Sequence, residues 1–274
     1  MSVALSVKGI KSASLDKVKL LEMAFYAALV IGVMGLSRHA RAADEMLVKE
    51  YIPLVQGLID AAKANDPEAM AKRVAYPLKR EYPIPAIQNR QEMVTRFDQV
   101  FEPQLLELIA NSKADIDWQT MGWRGIMLGS GVVWMDFDGK IIAINYQTPA
   151  EAKLKAELIA KQQTALHVSE FVSPELVWQT AKFTIRVDNM GNDQYRYAAW
   201  SKGKSLSEKP DLVLNKGKLV FDGSGGNHSF QFRSGPYQYH CYVTVLGTSD
   251  SPPGELVVYK NDQEILKQTV IKVD

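Results

Sequence analysis

The residues best suited to chemistry lie in one aromatic and acidic stretch between positions 118 and 146. The candidate ligand-binding residues in it are Trp123, Arg124, Trp134, Asp136 and Tyr146. A carboxylate beside indole rings can act as a general base when the pocket is dry, because desolvation raises the pKa of a carboxyl group. Asp136 is therefore the candidate catalytic residue.

Strand alternation leaves more than one role open for this stretch. It places Trp134 and Asp136 on one face of a strand and Val133 and Met135 on the other. If the first face lines a cavity, the pocket binds a ligand or carries an acid–base site. In the structural alternative Trp134 packs on the first helix, Asp136 pairs with Arg124, and the cavity is filled.

Helices followed by strands would position these residues. Apolar residues recur at steps of three and four over residues 44–63, which predicts an amphipathic helix. Asp66 and Asn89 are predicted to cap two further helices. From Ile116 the period changes, and we predict strands over residues 118–128, 132–137 and 140–147, with Asp138-Gly139 as a hairpin turn. This order indicates an α+β fold.

Residues 45–148 resemble the NTF2-like superfamily, also called cystatin-like or SnoaL-like. The resemblance rests on the first helix, the turn AAKANDPEAMAKRVAYPLK, the helix from Asn89 and the meander GWRGIMLGSGVVWMDFDGKIIAINYQ. It extends to a version of the fold in exported bacterial proteins. It implies a cone in which a curved antiparallel sheet wraps around helices and leaves a cavity at the wide end. It also implies dimerisation through the sheet, and many members lack catalytic residues.

The chain after residue 42 divides into three predicted parts. We predict an NTF2-like α+β domain over residues 43–148, a helical linker over 149–170, and an all-β sandwich or barrel domain over 171–274. The last of these is rich in aromatic residues, including Tyr237, Tyr239 and Tyr242. Aromatic side chains that are exposed there would form a face that binds protein or glycan.

The amino-terminal residues 1–42 have the pattern of a secretory signal peptide. Four lysines precede an apolar run over residues 23–36, and Ala40-Arg41-Ala42 supplies a cleavage site. A membrane anchor is the alternative, but a bilayer span needs about 20 apolar residues. We therefore predict a periplasmic or secreted protein with no stable membrane span after the leader is removed.

Charge and cysteine content limit the classes of partner and the kinds of site that the sequence predicts. Removing the leader leaves 26 basic and 29 acidic residues, a net charge of −3, which argues against nucleic acid as a partner. Cys241 is the only cysteine, so no internal disulfide forms, and the residue is predicted to be buried in a strand. No spacing of His, Cys, Asp or Glu indicates a metal site, and no motif indicates a cofactor.

These patterns favour a non-catalytic binding protein of the cell envelope. The predicted partners are a small or peptide-like ligand in the cone and an envelope protein docked on the β domain. One version is an inhibitor or immunity-type factor that blocks a hydrolase. The alternative function is a small-molecule isomerase or hydrolase that uses Asp136.

Overall fold

The structure is a computed structural model that describes residues 49–223, 225–248 and 250–273. The predicted signal peptide over residues 1–42 lies outside the described residues. In the part of the chain that the structure describes, no helix has the length and apolarity needed to cross a bilayer.

Five helices come first, and their caps explain where two of them begin. The carboxylate of Asp66 accepts hydrogen bonds from the backbone N–H groups of Glu68 and Ala69 at 3.0 and 3.1 Å. The side-chain oxygen of Asn89 accepts from the N–H of Glu92 at 3.0 Å, so both predicted caps are confirmed. The helices are α1 (Ile52–Lys63), α2 (Pro67–Ala71), α3 (Arg90–Thr95), α4 (Phe97–Val100) and α5 (Pro103–Asn111).

A four-stranded antiparallel meander follows these helices. Its strands are β1 (Trp118–Thr120), β2 (Ile126–Leu128), β3 (Val133–Met135) and β4 (Ile141–Ile144), in the order β1-β2-β3-β4. A short 3-10 turn, Gly122–Arg124, separates β1 from β2. The single strand predicted for residues 118–128 is therefore wrong. The predicted hairpin at Asp138-Gly139 joins β3 to β4 and is confirmed.

The helices and the first sheet share one apolar core. Val133 and Met135 are fully buried in it, whereas Trp134 and Asp136 are only half-buried and point to the other face of β3. Large side chains lie in this core, and Trp118 is among them at 0% exposure.

Helix α6 (Pro149–Ala165) connects the first sheet to the second, within one unit of the chain. The Thr148 hydroxyl caps it by accepting from the N–H of Glu151 at 3.1 Å. The Glu151 carboxylate is buried and accepts from Nε and Nη2 of Arg80 at 2.7 and 2.5 Å. Arg80 also donates to the carbonyls of Ile144 and Tyr146 at 2.8 Å each. The start of α6 is thereby fixed to the end of β4.

Nine strands form the second sheet, which is antiparallel throughout and curled. They are β5 (Ser173–Gln179), β6 (Phe183–Gly191), β7 (Gln194–Ser201), β8 (Leu212–Phe221), β9 (His228–Ser234), β10 (Tyr237–Val243), β11 (Gly254–Lys260), β12 (Gln263–Thr269) and β13 (Lys272–Val273). Two of the hairpins turn on two residues with positive φ, Asn192-Asp193 and Asn261-Asp262. Asn and Asp tolerate this conformation best after Gly, and its twist matches that of paired strands.

The last two strands join the two edges of the curled sheet. The sheet order is β12-β11-β10-β9-β8-β7-β6-β5-β13, so β12 pairs with β11 at one edge and β13 pairs with β5 at the other. Only Val270 and Ile271 lie between them, and their N–H groups donate to Gly254 and Gln179 on those two edges at 3.0 and 2.8 Å. Gly254 is needed at this seam, because a Cβ there would lie 2.6 Å from the Trp178 ring.

The outer side of this sheet is the side turned away from its apolar core. One half of it is covered by α6 and residues 168–171. Over β6 and β7, Asp188 is fully buried and forms ion pairs with Arg186 at 2.6 Å and with Arg196 at 2.7 Å. The shorter contact lacks hydrogen-bond alignment, and only the Arg196 contact is a hydrogen bond. Arg186 donates to Gln162 of α6 at 3.0 Å and lies 4.7 Å from the Phe171 ring. We call this cluster the covered half.

The covered half also holds the chain segment that follows α6. Two guanidinium nitrogens of Arg196 donate to the carbonyls of Val168 and Glu170 at 2.9 Å each. Gln163, near the end of α6, donates to the carbonyl of Phe171 at 2.7 Å. Buried charges are thus used here to fasten α6 and residues 168–171 onto the sheet.

The predicted fold class is wrong. The sequence predicted an α+β cone followed by an all-β sandwich or barrel domain. The structure is mostly β, with a curled nine-stranded sheet, a four-stranded sheet and six α-helices among the described residues. Strands of three or four residues reach only about 10–13 Å, which is too short to wrap around helices. Three of the helices are themselves short, with four to six residues each.

Candidate functional site

Three of the predicted site residues lie near one another at the surface of the first sheet. Trp123 is 74% exposed on the 3-10 turn between β1 and β2. The guanidinium of Arg124 lies 5.8 Å from the centre of the Trp134 ring, a cation–π contact. Gly131 provides space for this ring, since a Cβ there would lie 2.9 Å from Trp134 Nε1. Trp123 and Arg124 are exposed and Trp134 is half-buried, so the three lie at the surface of the first sheet.

Asp136 has a local role in the hairpin between β3 and β4. Its Oδ1 accepts hydrogen bonds from the N–H groups of Asp138 and Lys140 at 3.0 and 2.7 Å. The carboxylate therefore shapes the turn. It makes no ion pair with Arg124, so the contact that the structural alternative required is not formed.

Tyr146 belongs to a third environment, beyond the end of β4. Its hydroxyl donates to a carboxylate oxygen of Glu102 and contacts Gln104 Oε1 at 3.3 Å. The hydrogen bond to Glu102 raises the pKa of Tyr146. Ionisation would remove the proton that Tyr146 donates and would place a phenolate beside a carboxylate. Tyr146 thus ties the chain before α6 to the start of α5.

Cys241 is buried inside the second sheet, as predicted. It is 0% exposed, and burial raises the pKa of its thiol well above the usual range, so the thiolate needed for nucleophilic chemistry does not form. Its neighbour His240 points to the opposite face of β10. Over the described residues, no group of three or more His, Cys, Asp or Glu side chains could hold a metal ion.

A different surface gathers the side chains that make recognition sites. It is the outer side of the sheet over β8 to β11, beyond the covered half, and we call it the open half. Its members are Lys216, Lys218, Gln231, Arg233, Gln238, His240, Tyr242 and Tyr259, all of them half-buried or exposed.

Strand pairing brings these side chains together. Lys218 is opposite Gln231, and Gln231 is opposite His240, so one row crosses three strands. The next row places Arg233 opposite Gln238 and Gln238 opposite Tyr259. A cleft of about 300 Å³ lies between the rows, lined by Lys216, Lys218, Gln231, Phe232, Arg233, Gln238 and His240.

The cations of this cleft have no acidic partner. Within the described residues, the side chains of Lys216, Lys218 and Arg233 make no ion pair and no hydrogen bond. Asp193 shares a neighbouring cleft with Lys218 but does not pair with it. Asp262 instead accepts from the amide of Gln238 at 2.6 Å. The cleft therefore presents positive charge that nothing on the described chain neutralises.

Aromatic rings border the cleft on the β11 side. The His240 ring lies 5.2 Å from the Tyr259 ring and 5.6 Å from the Tyr242 ring, both edge to face. Desolvation and, secondarily, Arg233 lower the pKa of His240, so its imidazole is neutral at neutral pH. Burial raises the pKa of Tyr242 to about 12, so its hydroxyl keeps its proton. The hydroxyl shares a hydrogen bond with His240 Nδ1 at 3.0 Å, and the imidazole tautomer decides which of the two donates.

Sequence reasoning found part of this surface. The alternation of β10 correctly separates Tyr239 and Cys241 from His240 and Tyr242. The three unpaired cations were missed. The signal that could have found two of them is the pair of lysines in Lys216-Gly217-Lys218.

Comparisons with known proteins give no match. No family model, no curated protein and no solved structure matches this chain. The NTF2-like resemblance of residues 45–148 is neither supported nor opposed by them and stays a prediction.

Proposed function

We propose that the protein is a non-catalytic binding protein that works in the cell envelope and docks a protein partner through the open half. The supporting observation is the set of three unpaired cations beside a half-exposed cluster of His240, Tyr242 and Tyr259. Protein interfaces are enriched in Tyr and Arg, because both combine a large contact area with directional hydrogen bonds. The envelope part of the proposal rests on the leader pattern of residues 1–42.

The enzymatic alternative has less support. A general base in a dry pocket must be free to accept a proton from substrate. The Oδ1 atom of Asp136 already accepts two backbone hydrogen bonds in a surface hairpin. A role for the open half in an inhibitor or immunity-type factor remains compatible with the proposal, since such factors act by docking.

The test is recovery of a partner from the cell envelope, measured by native mass spectrometry. Tagged protein purified from its own envelope fraction should carry a partner at a fixed ratio. The double variant Tyr242→Ala with Tyr259→Ala should lose that partner, because it removes the aromatic border of the cleft. Loss should be at least about tenfold, as for the truncation of central interface residues.

Trp123→Ala is the matched control, since it removes an exposed aromatic ring from the first sheet. It should leave the partner bound. Loss of the partner with Trp123→Ala alone would move the binding site to the first sheet and refute the proposal. Recovery of no partner at any fixed ratio would also refute it. Sequencing of the mature amino terminus should find Ala43, and a start at Met1 in the cytosol would refute the envelope part.

A further inference from the structure

We propose that the cleft of the open half binds two carboxylates of an extended acidic segment on the partner protein. This inference rests on the proposed function and names the chemistry of the partner. Three cations line the cleft, contributed by Lys216, Lys218 and Arg233, and none of them has a partner among the described residues. Like charges held together repel one another, so an anion in the cleft is favoured.

Two of the cations lie close together on β8. Lys216 and Lys218 are both exposed, they flank Gly217, which is buried on the core side of β8, and both line the cleft. Alternate carboxylates of an extended segment lie about 6.6 Å apart on one face. Two carboxylates of such a segment can therefore lie in one cleft with both lysines.

Arg233 adds a directional contact to the positive charge of the two lysines. A guanidinium presents parallel N–H groups that match a carboxylate in a bidentate pair. Arg233 lies on β9, the strand next to Lys218, and is exposed at the rim of the cleft. It can hold one of the two carboxylates while the lysines supply the surrounding positive field.

The aromatic border favours a peptide over a small inorganic anion. The rings of His240, Tyr242 and Tyr259 would contact the side chains that flank the acidic residues, as aromatic residues do at protein interfaces. Nucleic acid is disfavoured because the chain after residue 42 carries a net charge of −3.

The experiment measures binding of labelled peptides to the full chain after the leader, by fluorescence anisotropy. The probe is an extended peptide with glutamates at alternate positions between leucines and tyrosines, and its control replaces each glutamate by glutamine. The glutamate peptide should bind at least about tenfold more tightly than the control. Its affinity should fall as salt rises, because the contacts are ionic. Equal binding of the two peptides would overturn the inference, as would stronger competition by inorganic pyrophosphate than by unlabelled glutamate peptide.

Charge reversal locates the site. The double variant Lys218→Glu with Arg233→Glu should weaken binding of the glutamate peptide at least about tenfold. Lys182→Glu changes the charge of an exposed lysine in the turn between β5 and β6, and it should leave affinity within about twofold. Thermal melts of each variant show that the fold is retained. Unchanged peptide binding by the double variant in folded form would overturn the inference.

Partner recovery then separates this inference from the proposed function. If the charge-reversed variant keeps its envelope partner while the Tyr242 and Tyr259 variant loses it, the acidic segment is refuted and docking stands. If both variants keep the partner, both proposals fail. Loss of the partner in both, with Trp123→Ala and Lys182→Glu unaffected, supports both.

Discussion

The covered half and the open half are neighbouring parts of one sheet surface, and they use positive charge in opposite ways. In the covered half Arg186 and Arg196 are buried and share the carboxylate of Asp188. In the open half Lys218 and Arg233 face a cleft and pair with no acidic side chain in the part of the chain that the structure describes. Cations that hold a fold together are paired where water is excluded, and cations left unpaired are available for a ligand.

The largest expected effect comes from removing the acid of the covered half. Asp188→Asn should lower the free energy of unfolding by about 3–5 kcal/mol, because two buried guanidinium groups lose their counter-ion. Urea denaturation measures this loss. Asp211→Asn breaks the exposed pair with Lys204 and should cost far less. Equal losses in the two variants would show that the covered half is not a structural ion cluster.

The next largest effect on stability is expected at Gly217, on the core side of the open half. A Cβ at Gly217 would lie 2.1 Å from Cε1 of Phe232, so Gly217→Ala should cost about 1–3 kcal/mol of unfolding free energy through overpacking. The substitution should also weaken binding of the glutamate peptide, since Lys216 and Lys218 flank this position. Gly57→Ala is the control, because its Cβ meets only the flexible end of Arg73. There the substitution should be neutral or stabilising, as expected for Ala in a helix.

A smaller effect is expected from pH through His240. Desolvation lowers its pKa below 6.5, so the unfolded chain binds the proton at a higher pH than the folded chain. The contribution of His240 to stability is present above pH 6.5 and is lost as the pH falls through the folded pKa. The groups facing it are Arg233, Tyr242 and Tyr259. The loss should stay below about 1 kcal/mol because the ring is partly solvated.

The measurement is urea denaturation at several pH values for the protein and for His240→Gln. The variant should lose less stability between neutral and mildly acidic pH. Parallel curves for the two proteins would show that His240 is not the titrating group. Glu175 also has a pKa shifted by burial, but both proteins retain it, so its contribution cancels.

The smallest effect is expected from neutralising the open half. Lys218→Gln with Arg233→Gln should change the unfolding free energy by no more than about 0.5 kcal/mol, with an increase from relieved repulsion. Denaturation in low salt gives the sign most clearly. A loss of several kcal/mol would mean that these cations support the fold, and the contrast between the two halves would disappear.

Short-range signals predicted the local structure well where a turn had a specific residue type. Lys260-Asn261-Asp262 predicts a turn, and the hairpin between β11 and β12 turns on Asn261-Asp262. Asn189-Met190-Gly191-Asn192 also predicts a turn, but β6 continues to Gly191 and the hairpin turns on Asn192-Asp193. The alternation over residues 176–187 predicts one strand, but the structure has a turn there between β5 and β6. No Gly, Asn or Pro marks that turn. The hydroxyl of Thr180 forms it instead, by accepting from the N–H groups of Lys182 and Phe183 at 3.3 and 3.0 Å.

Long-range structure was predicted less well, for physical reasons. The residue types of Asn215-Lys216-Gly217 predict a turn, yet β8 continues through them with Lys216 at a φ of 61°. Pairing with β7 and β9 decides this, and it depends on residues far away in the chain. The site was missed for a similar reason. Sequence shows where a lysine lies, but only the fold shows that no acid among the described residues pairs with it.

The seam formed by β12 and β13 determines when the curled sheet can close during synthesis of the chain. The edges of the curled sheet cannot meet until residues 263–273 have been made, because those residues hydrogen-bond to both edges. A nascent chain that ends before residue 263 has an open sheet, and one that ends before Gly254 also lacks the glycine that lies against the Trp178 ring. Closure of the curled sheet therefore waits for its last two strands, after the other seven strands of that sheet have been made.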